Sequence, residues 1–437
     1  MPSSPNSSGP LIRGGYSSPY RAYALFLLVG VNVFNYMDRK LLAVLVEPIK
    51  ADLQIGDTMM GLMLGFAFSL TYSVIGFPMA RLADRGFRVR VMGLALGAWS
   101  AMTVLSGFVQ TATQMLIARI GVGIGEAGGN PPAQALVAEY FPADSRGKAL
   151  TVFVSGAYIG GFIGGAAGGL LGDVYSWRTA FIALGIPGLV FGALVLATLK
   201  EPSIRKRTSA AGSVGPRDNL IGAIWELFRR PAFRHLMIAV GILYFSSQGA
   251  QAWHAAFFMR THGLSLTEAG GIEGIASLLP AISVIFAGYL TDRLYRRDPT
   301  WQVWLPMIAT AASIPLFLAL YLAPDWKIAA LSYIGAQAFA GIFSGIFIVS
   351  VQSIVWQHER SLAAAMVMFS ASLIGLGAGP LVVGLLSDLL YVSLGDASLQ
   401  WALVASKVLP VWGIFHLWRA AQTFRNEIKV EAPETTH

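Results

Sequence analysis

Long apolar runs, each closed by a short polar segment, set the pattern of this chain. A helix needs about 20 consecutive apolar residues to cross a bilayer. Twelve such runs fall at about 22–46, 58–80, 89–110, 112–138, 149–172, 178–198, 236–258, 266–290, 301–322, 326–355, 362–390 and 400–418. One long polar break, 199–235, separates six runs over 22–198 from six over 236–418, with tails at 1–21 and 419–437. Within the break, 201–218 is basic and rich in small residues. Residues 219–230, NLIGAIWELFRR, have the two-faced pattern of a short helix lying on a membrane surface. The prediction is an all-α membrane protein of twelve spanning helices in two six-helix halves.

Charge orients the helices. Cytoplasmic loops are enriched in Lys and Arg. If the N-terminus is cytoplasmic, 23 of the 31 Lys and Arg lie in inside segments, four lie outside, and four lie within spans. Both termini are therefore expected in the cytoplasm, with the chain in the inner (plasma) membrane. The same bias accounts for the net charge of +8, so no nucleic-acid partner is needed. Residues 1–21 are rich in Ser, Pro and Gly and have no short apolar run with a cleavage site, so a disordered tail is expected, not a signal peptide. The chain has no Cys, which excludes disulfide and thiol chemistry. Its six His form no H-E-x-x-H pattern or close pair, and there is no Walker A motif. No metal, cofactor, ATP-driven step or enzymatic activity is expected.

The two halves repeat weakly. The loop from Ala80 through Asp84, Arg85 and Arg88 returns from Gly288 through Asp292, Arg293, Arg296 and Arg297, offset by 208 residues. Arg146 and Arg360 are offset by 214, and Asp173 and Asp388 by 215. Duplicated six-helix halves with a site between them are a transporter architecture.

At this point the chain resembles the major facilitator superfamily. The loop Asp84-Arg85…Arg88 is similar to that family's signature between its second and third helices, although Ala80 stands where the family usually has Gly. Arg119-Ile-Gly-Val-Gly123, Phe141-Pro-Ala-Asp-Ser-Arg146 and Trp177-Arg178-Thr-Ala-Phe181 also match. Within the superfamily, Asn35-Tyr36-Met37-Asp38-Arg39 together with Gly123-Ile-Gly-Glu126-Ala is similar to the spinster family. That resemblance implies proton-linked movement of a lipid-like amphiphile, such as a lysophospholipid or sphingoid phosphate.

The ionisable residues within the spans carry the candidate chemistry. A charge at the centre of a spanning helix costs roughly 2.5–3.5 kcal/mol on insertion scales. The first span nonetheless holds Asp38, Arg39 and Lys40 in a row. On a straight fourth helix, Arg119, Glu126 and Asn130 share one stripe, and Gly121, Gly125 and Gly128 lie opposite, smooth enough for helix packing. Seven residues place Arg119 and Glu126 roughly 10 Å apart along the axis, so each needs another partner. Asn32, Asn35, Tyr36 and Arg39 share an arc of the first helix, with Asp38 at its edge. Glu126, near the midplane, and Asp38 are the expected proton-coupling residues. Arg39, Arg119, Asn35, Tyr36 and Asn130 are expected to bind substrate or pair with the acids. Protonating a carboxylate would free an arginine for an anionic headgroup. Lys40, Glu273 and Lys407 receive no role, although Lys40 is close to Asp38 in sequence.

The second half is neutral where the first is charged. Tyr244, Ser247, Gln248, Gln251 and His254 form a polar arc on the seventh span, and Tyr333 and Gln337 lie on the tenth. They are expected to line a cavity wall facing the apolar part of a ligand. Asp84, Arg85, Arg88 and Arg146, with Asp292 and Arg293, are expected to form an inner gate, because an Asp beside arginines at helix ends can lock neighbours in one state and release them in another. The fifth span has Gly156, Gly160, Gly164, Gly168 and Gly172 at every fourth position, with Gly161, Gly165 and Gly169 beside them, a pattern for close helix approach.

The expected function is a proton-coupled carrier working by alternating access. It would act as a monomer, with the bilayer, an amphiphilic small molecule and protons as partners. Carriers of small organic anions, multidrug efflux antiporters and a non-transporting sensor on the same scaffold remain the alternatives.

Overall fold

The computed structural model describes residues 16–202 and 220–428. The expected tail over 1–15, the basic stretch 203–219 and residues 429–437 lie outside the described residues. Among the described residues the secondary structure is wholly helical: α1 (Ser18–Val44), α2 (Val46–Leu53), α3 (Asp57–Gly61), α4 (Ala67–Asp84), α5 (Arg88–Ser106), α6 (Ala112–Glu126), α7 (Asn130–Tyr140), α8 (Ala143–Val174), α9 (Trp177–Thr198), α10 (Leu220–Arg229), α11 (Pro231–Gln251), α12 (His254–His262), α13 (Leu266–Tyr295), α14 (Trp301–Leu322), α15 (Trp326–Ser353), α16 (Arg360–Phe369), α17 (Gly379–Leu394), α18 (Ser398–Ser406) and α19 (Leu409–Glu427). A π-helical turn over Leu62–Phe66 joins α3 to α4, and a longer one over Ser370–Ala378 joins α16 to α17.

Joined across these short breaks, the helices form twelve rods that coincide with the twelve apolar runs. Eight described stretches are long and apolar enough to cross a membrane on length and composition alone, and one of them, Gln357–Glu427, contains two rods. The remaining three rods are α1, which carries the charged triplet, and the interrupted pairs α6–α7 and α11–α12. Local chemistry explains the starts and stops. Thr111 caps α6 by accepting from Gln114 N, and Ser265 and Glu268 form a reciprocal capping box on α13. After Glu126, two glycines and then Pro131 and Pro132 interrupt the fourth rod, because Gly weakens a helix and Pro lacks the N–H to continue one. Gly86, at φ 98°, makes the turn between α4 and α5.

The rods run alternately, so one face carries both ends of the described chain and the α10 segment. We call this the tail face and the opposite one the far face. Packing differs between them. Toward the tail face each half has its own core, around Leu28, Met92, Trp99 and Phe153 in the first half and around Phe233, Met237, Phe347 and Phe424 in the second. Toward the far face a single core crosses both halves, joining Leu41, Met60 and Phe181 to Trp253, Phe257 and Tyr333. Among the described residues the buried cores are therefore joined toward the far face and distinct toward the tail face, where Leu376 packs against the first-half core.

Two seams make that fusion. The glycines of α8 form two rows that serve different neighbours. Gly156, Gly160, Gly164 and Gly168 face α1, Gly161, Gly165 and Gly169 face α13 across the halves, and Gly172 lies between Leu45 and Leu266. A Cβ on Gly165 would lie 2.7 Å from Gly274 N. The second seam brings Gly61 and Gly65 against the backbone of Pro380 and Gly377. Gly61 and Gly65 are offset by 209 residues from Gly270 and Gly274, so the two seams are copies under the internal repeat.

Candidate functional site

Three consecutive residues of α1 reach three different partners. Successive helical positions are turned by about 100°, so Asp38, Arg39 and Lys40 cover most of the helix circumference. Asp38 Oδ2 accepts from Arg119 Nη1 on α6 at 3.1 Å, and its Oδ1 accepts from Thr103 Oγ1 on α5 at 2.5 Å. Arg39 donates Nε to Glu126 Oε2 at 2.8 Å, and its Nη2 makes an ion-pair contact with the same oxygen at 2.7 Å. Asn35 Nδ2, one turn earlier, adds a second hydrogen bond to that oxygen at 2.8 Å. Lys40 points toward the second half and pairs with Glu273 on α13. The sequence places Lys40 within reach of Asp38, but the structure gives Asp38 to Arg119 and Thr103.

Two crossed ion pairs thus join α1 to α6, and burial makes each partner necessary to the other. Glu126 is fully buried, and Asp38 and Arg119 are each 2% exposed. Removing one member of such a pair leaves an uncompensated charge, at a cost of about 3–5 kcal/mol. Arg39 is more open, with 22% of its side chain accessible. The rings of Phe68, Tyr72 and Tyr36 lie 4.7, 5.3 and 5.5 Å from its guanidinium carbon, so cation–π attraction holds it as well as the carboxylate does. Tyr36 is 39% exposed and lies within electrostatic reach of Tyr158 on α8 and Tyr244 on α11, which puts this arc where the halves face each other.

Glu126 is satisfied on one side only. Oε2 accepts two hydrogen bonds and an ion-pair contact, whereas Oε1 is buried with no partner among the described residues. A free carboxylate oxygen beside a partly open arginine can accept a proton, and the arginine can then turn to an anion.

The far face is closed by polar contacts between the halves. Arg260 of α12 bonds Glu47 on α2 and both carboxylate oxygens of Asp57 on α3, at 2.6–2.9 Å. Lys50 also pairs with Asp57. The repeat recurs at the seam ends. Asp388 caps α3 by accepting from Asp57 N, Thr58 N and Thr58 Oγ1 at 3.0, 2.8 and 2.6 Å. Asp173 accepts from Thr267 N and Oγ1 at the start of α13, at 3.2 and 2.6 Å. Each carboxylate sits at a helix N-terminus of the other half, where the helix dipole favours it.

The expected inner-gate residues lie on the tail face and form no ion pair between the halves among the described residues. Arg88 pairs with Glu139 and approaches Asp84 at 3.8 Å, both within the first half. Asp84, Arg85, Asp292 and Arg293 are exposed, and Arg146 is half-buried. Other expectations need correction. Asn130 begins α7 beyond the glycine break, so it does not continue the straight stripe of Arg119 and Glu126. His254 and Tyr333 are 2% and 0% exposed and belong to a packed network with Glu273, not to an open wall. Gln337 is also buried, whereas Tyr244, Ser247, Gln248 and Gln251 are half-buried along α11. Beside them an apolar groove of about 370 Å³ runs between α11, the π-helical turn at 370–378 and α19, lined by Phe228, Met237, Ile242, Phe245, Ile374 and Leu409. The sequence reading left Glu273 without a role. The available signal was the pair of opposite charges that Lys40 and Glu273 place in spans of different halves.

Comparisons with known proteins agree with this fold. Residues 28–380 match the family model described as the Major Facilitator Superfamily. An MFS-type efflux pump of Mycolicibacterium smegmatis is 35% identical over 419 residues, covering 95% of this chain and 96% of the relative. A probable L-galactonate transporter of Escherichia coli is 27% identical, covering 84% and 83% of the two chains. Among solved structures, a bacterial homolog of the human lysosomal transporter Spinster, in an inward-facing and unoccupied conformation, superposes with a TM-score of 0.86 at 26% identity, covering 95% of this chain and all of that one.

Proposed function

This chain belongs to the major facilitator superfamily of membrane transporters and is spinster-like within it, and from that premise we propose that it is a proton-coupled carrier of a lipid-like amphiphile. Glu126 is the principal proton site, and Asp38 supports it. The observation that carries this reading is the Arg39–Glu126 pair, in which a half-satisfied carboxylate and a partly open, ring-flanked arginine share one contact. Protonation of Glu126 removes the negative partner of Arg39 and leaves a cation for an anionic headgroup. Release of that anion restores the pair and favours loss of the proton. Substrate and proton are coupled because both act on the same guanidinium.

The amphiphile assignment rests on the contrast between halves. Arg39 and Tyr36 offer charge and aromatic surface, and the groove beside α11 offers apolar lining. An ionic head and an acyl or sphingoid tail suit these two environments. In this reading the tail face is cytoplasmic, both termini lie in the cytoplasm, the site opens inward in this conformation, and Asp84, Arg85, Arg88, Arg146, Asp292 and Arg293 close that side in the opposite state. The carrier works as a monomer in the plasma membrane.

Lipid mass spectrometry of the protein purified from membranes tests the substrate class. A lysophospholipid or sphingoid phosphate retained by the wild type and lost from Arg39→Ala supports it. A second reading, a carrier of small organic anions, is favoured by the galactonate carrier among the relatives. Retention of no lipid, together with galactonate uptake into proteoliposomes, would replace the first reading with the second.

A further inference from the structure

Glu273 of α13 lies at the junction of the two halves, and its two oxygens have different surroundings. Oε2 pairs with Lys40 of α1 and accepts from Tyr333 Oη of α15 at 3.2 Å. Among the described residues Oε1 is buried without a hydrogen-bond partner. Facing it at 3.6 Å is Nδ1 of His254 on α12, which is also buried and without a hydrogen-bond partner among them. The other nitrogen of His254, Nε2, is 2.9 Å from Tyr321 Oη on α14. Glu273 is 1% exposed and His254 2%. Two buried polar atoms therefore sit opposite each other, 3.6 Å apart and beyond hydrogen-bond reach.

We propose that Glu273 and His254 form a second proton-binding site, separate from Glu126, whose occupation loosens the closure of the far face. A neutral imidazole that uses Nε2–H toward Tyr321 presents Nδ1 as an acceptor, and an ionised carboxylate is acceptor-only. In that tautomer neither can satisfy the other. One proton taken from water, placed between Oε1 and Nδ1, draws the two atoms together from 3.6 Å and gives both a hydrogen bond. It also cancels or compensates the negative charge that holds Lys40. Lys40 joins α1 to α13 across the halves, so weakening that ion pair removes a contact that only the closed far face can make.

The neighbours leave Glu273 as the acid of this junction. Lys40 faces it from α1, His254 from α12 and Tyr333 from α15, with Tyr321 of α14 one bond further through His254. Toward α8 the nearby surface of α13 meets glycine backbone at Gly165 and Gly169. The next buried cation is Lys407, held by the backbone oxygen of Ser246 at 3.2 Å and lying over the Phe317 ring at 4.1 Å; its field reaches His254. Arg39 and Lys40 are adjacent, so α1 carries one contact to Glu126 and the next to Glu273. The arrangement gives the two acids different tasks: Glu126 governs the headgroup site and Glu273 governs the far-face closure.

The inference rests on the alternating-access reading but not on Glu126 being the coupling site. The chain has no cysteine, so spin labels at Ala51→Cys and Lys327→Cys report the distance across the far face directly. Both positions are exposed, one in each half. In the otherwise wild-type chain, a long-distance population should grow as pH falls. In Glu273→Gln it should be the majority at every pH. In Lys40→Met, a second variant that guards against misfolding of the first, the same pH-independent opening is expected. Glu126→Gln should keep the pH dependence. The proposal is overturned if Glu273→Gln titrates like wild type, or if Glu126→Gln alone abolishes the titration. A single short-distance population in every chain at every pH would contradict the carrier reading together with this inference.

Discussion

Arg39 and Lys40 are consecutive, yet Arg39 pairs with Glu126 inside the first half and Lys40 pairs with Glu273 in the second. A rotation or shift of α1 cannot change one contact without affecting the other. This is a physical basis for linking what binds in the site to which face is open. The link is a geometric relation between two side chains on one rigid helix, and it does not require a long pathway of small displacements.

The Asp38–Arg119 pair is predicted to be structural as well as functional. Asp38→Ala should lower stability by about 3–5 kcal/mol, because it leaves Arg119 buried and unpaired. The double variant Asp38→Leu/Arg119→Met should cost less than the sum of the single changes. Denaturation of the purified protein in detergent, analysed as a double-mutant cycle, checks this, and strict additivity would show that the pair is not coupled.

The far-face caps should also be measurable. Asp388 accepts three hydrogen bonds from the start of α3, so Asp388→Ala should cost about 0.5–2 kcal/mol. Asp173→Ala should cost less, since its two contacts lie at an exposed site. Both variants should increase labelling of a cysteine placed behind the far-face closure. Unchanged labelling in both would mean that the caps do not hold the halves together.

Gly165→Val puts a branched side chain where a bare Cβ already lies 2.7 Å from Gly274 N and 2.9 Å from Gly270 O. Overpacking of this kind costs about 1–3 kcal/mol. The variant should separate α8 from α13 and shorten the residence of the far-closed state, read by spin-label distances across that seam. A valine that leaves the distance unchanged would show that the seam tolerates slack.

Much of this architecture is legible in the sequence, for physical reasons that differ by residue. Twelve apolar runs suffice to mark the rods because lipid leaves the backbone no partner except its own helix. The offset of 215 between Asp173 and Asp388 anticipates two residues that turn out to cap equivalent helices in opposite halves. The need of Arg119 and Glu126 for separate partners follows from helical rise alone, and Asp38 and Arg39 supply them. A straight-helix projection fails at Asn130, because the glycines before it break the rod. It fails again at His254, because the chain turns at Trp253, whose indole Nε1 is held by Pro380 O at 3.1 Å. Glu273 was hidden for a different reason: its partner lies 233 residues away, and no local pattern encodes a contact between halves.

The expected inner gate gives a further prediction. Among the described residues Asp84 makes no ion pair across the halves in this conformation, so Asp84→Asn should leave the conformation intact while weakening the state in which the tail face is closed. Accessibility of a cysteine in the tail-side opening should rise relative to wild type. Equal accessibility in wild type and Asp84→Asn would remove Asp84 from the gate.

The central claim is that proton movement and substrate movement meet at Glu126. The most direct measurement is proton flux into proteoliposomes, followed with a trapped pH-sensitive dye, on addition of a lysophospholipid to wild type and to Glu126→Gln. The account predicts substrate-dependent flux in the wild type, and at least a tenfold loss in Glu126→Gln with lipid binding retained. Equal proton-coupled transport by the two proteins would contradict it.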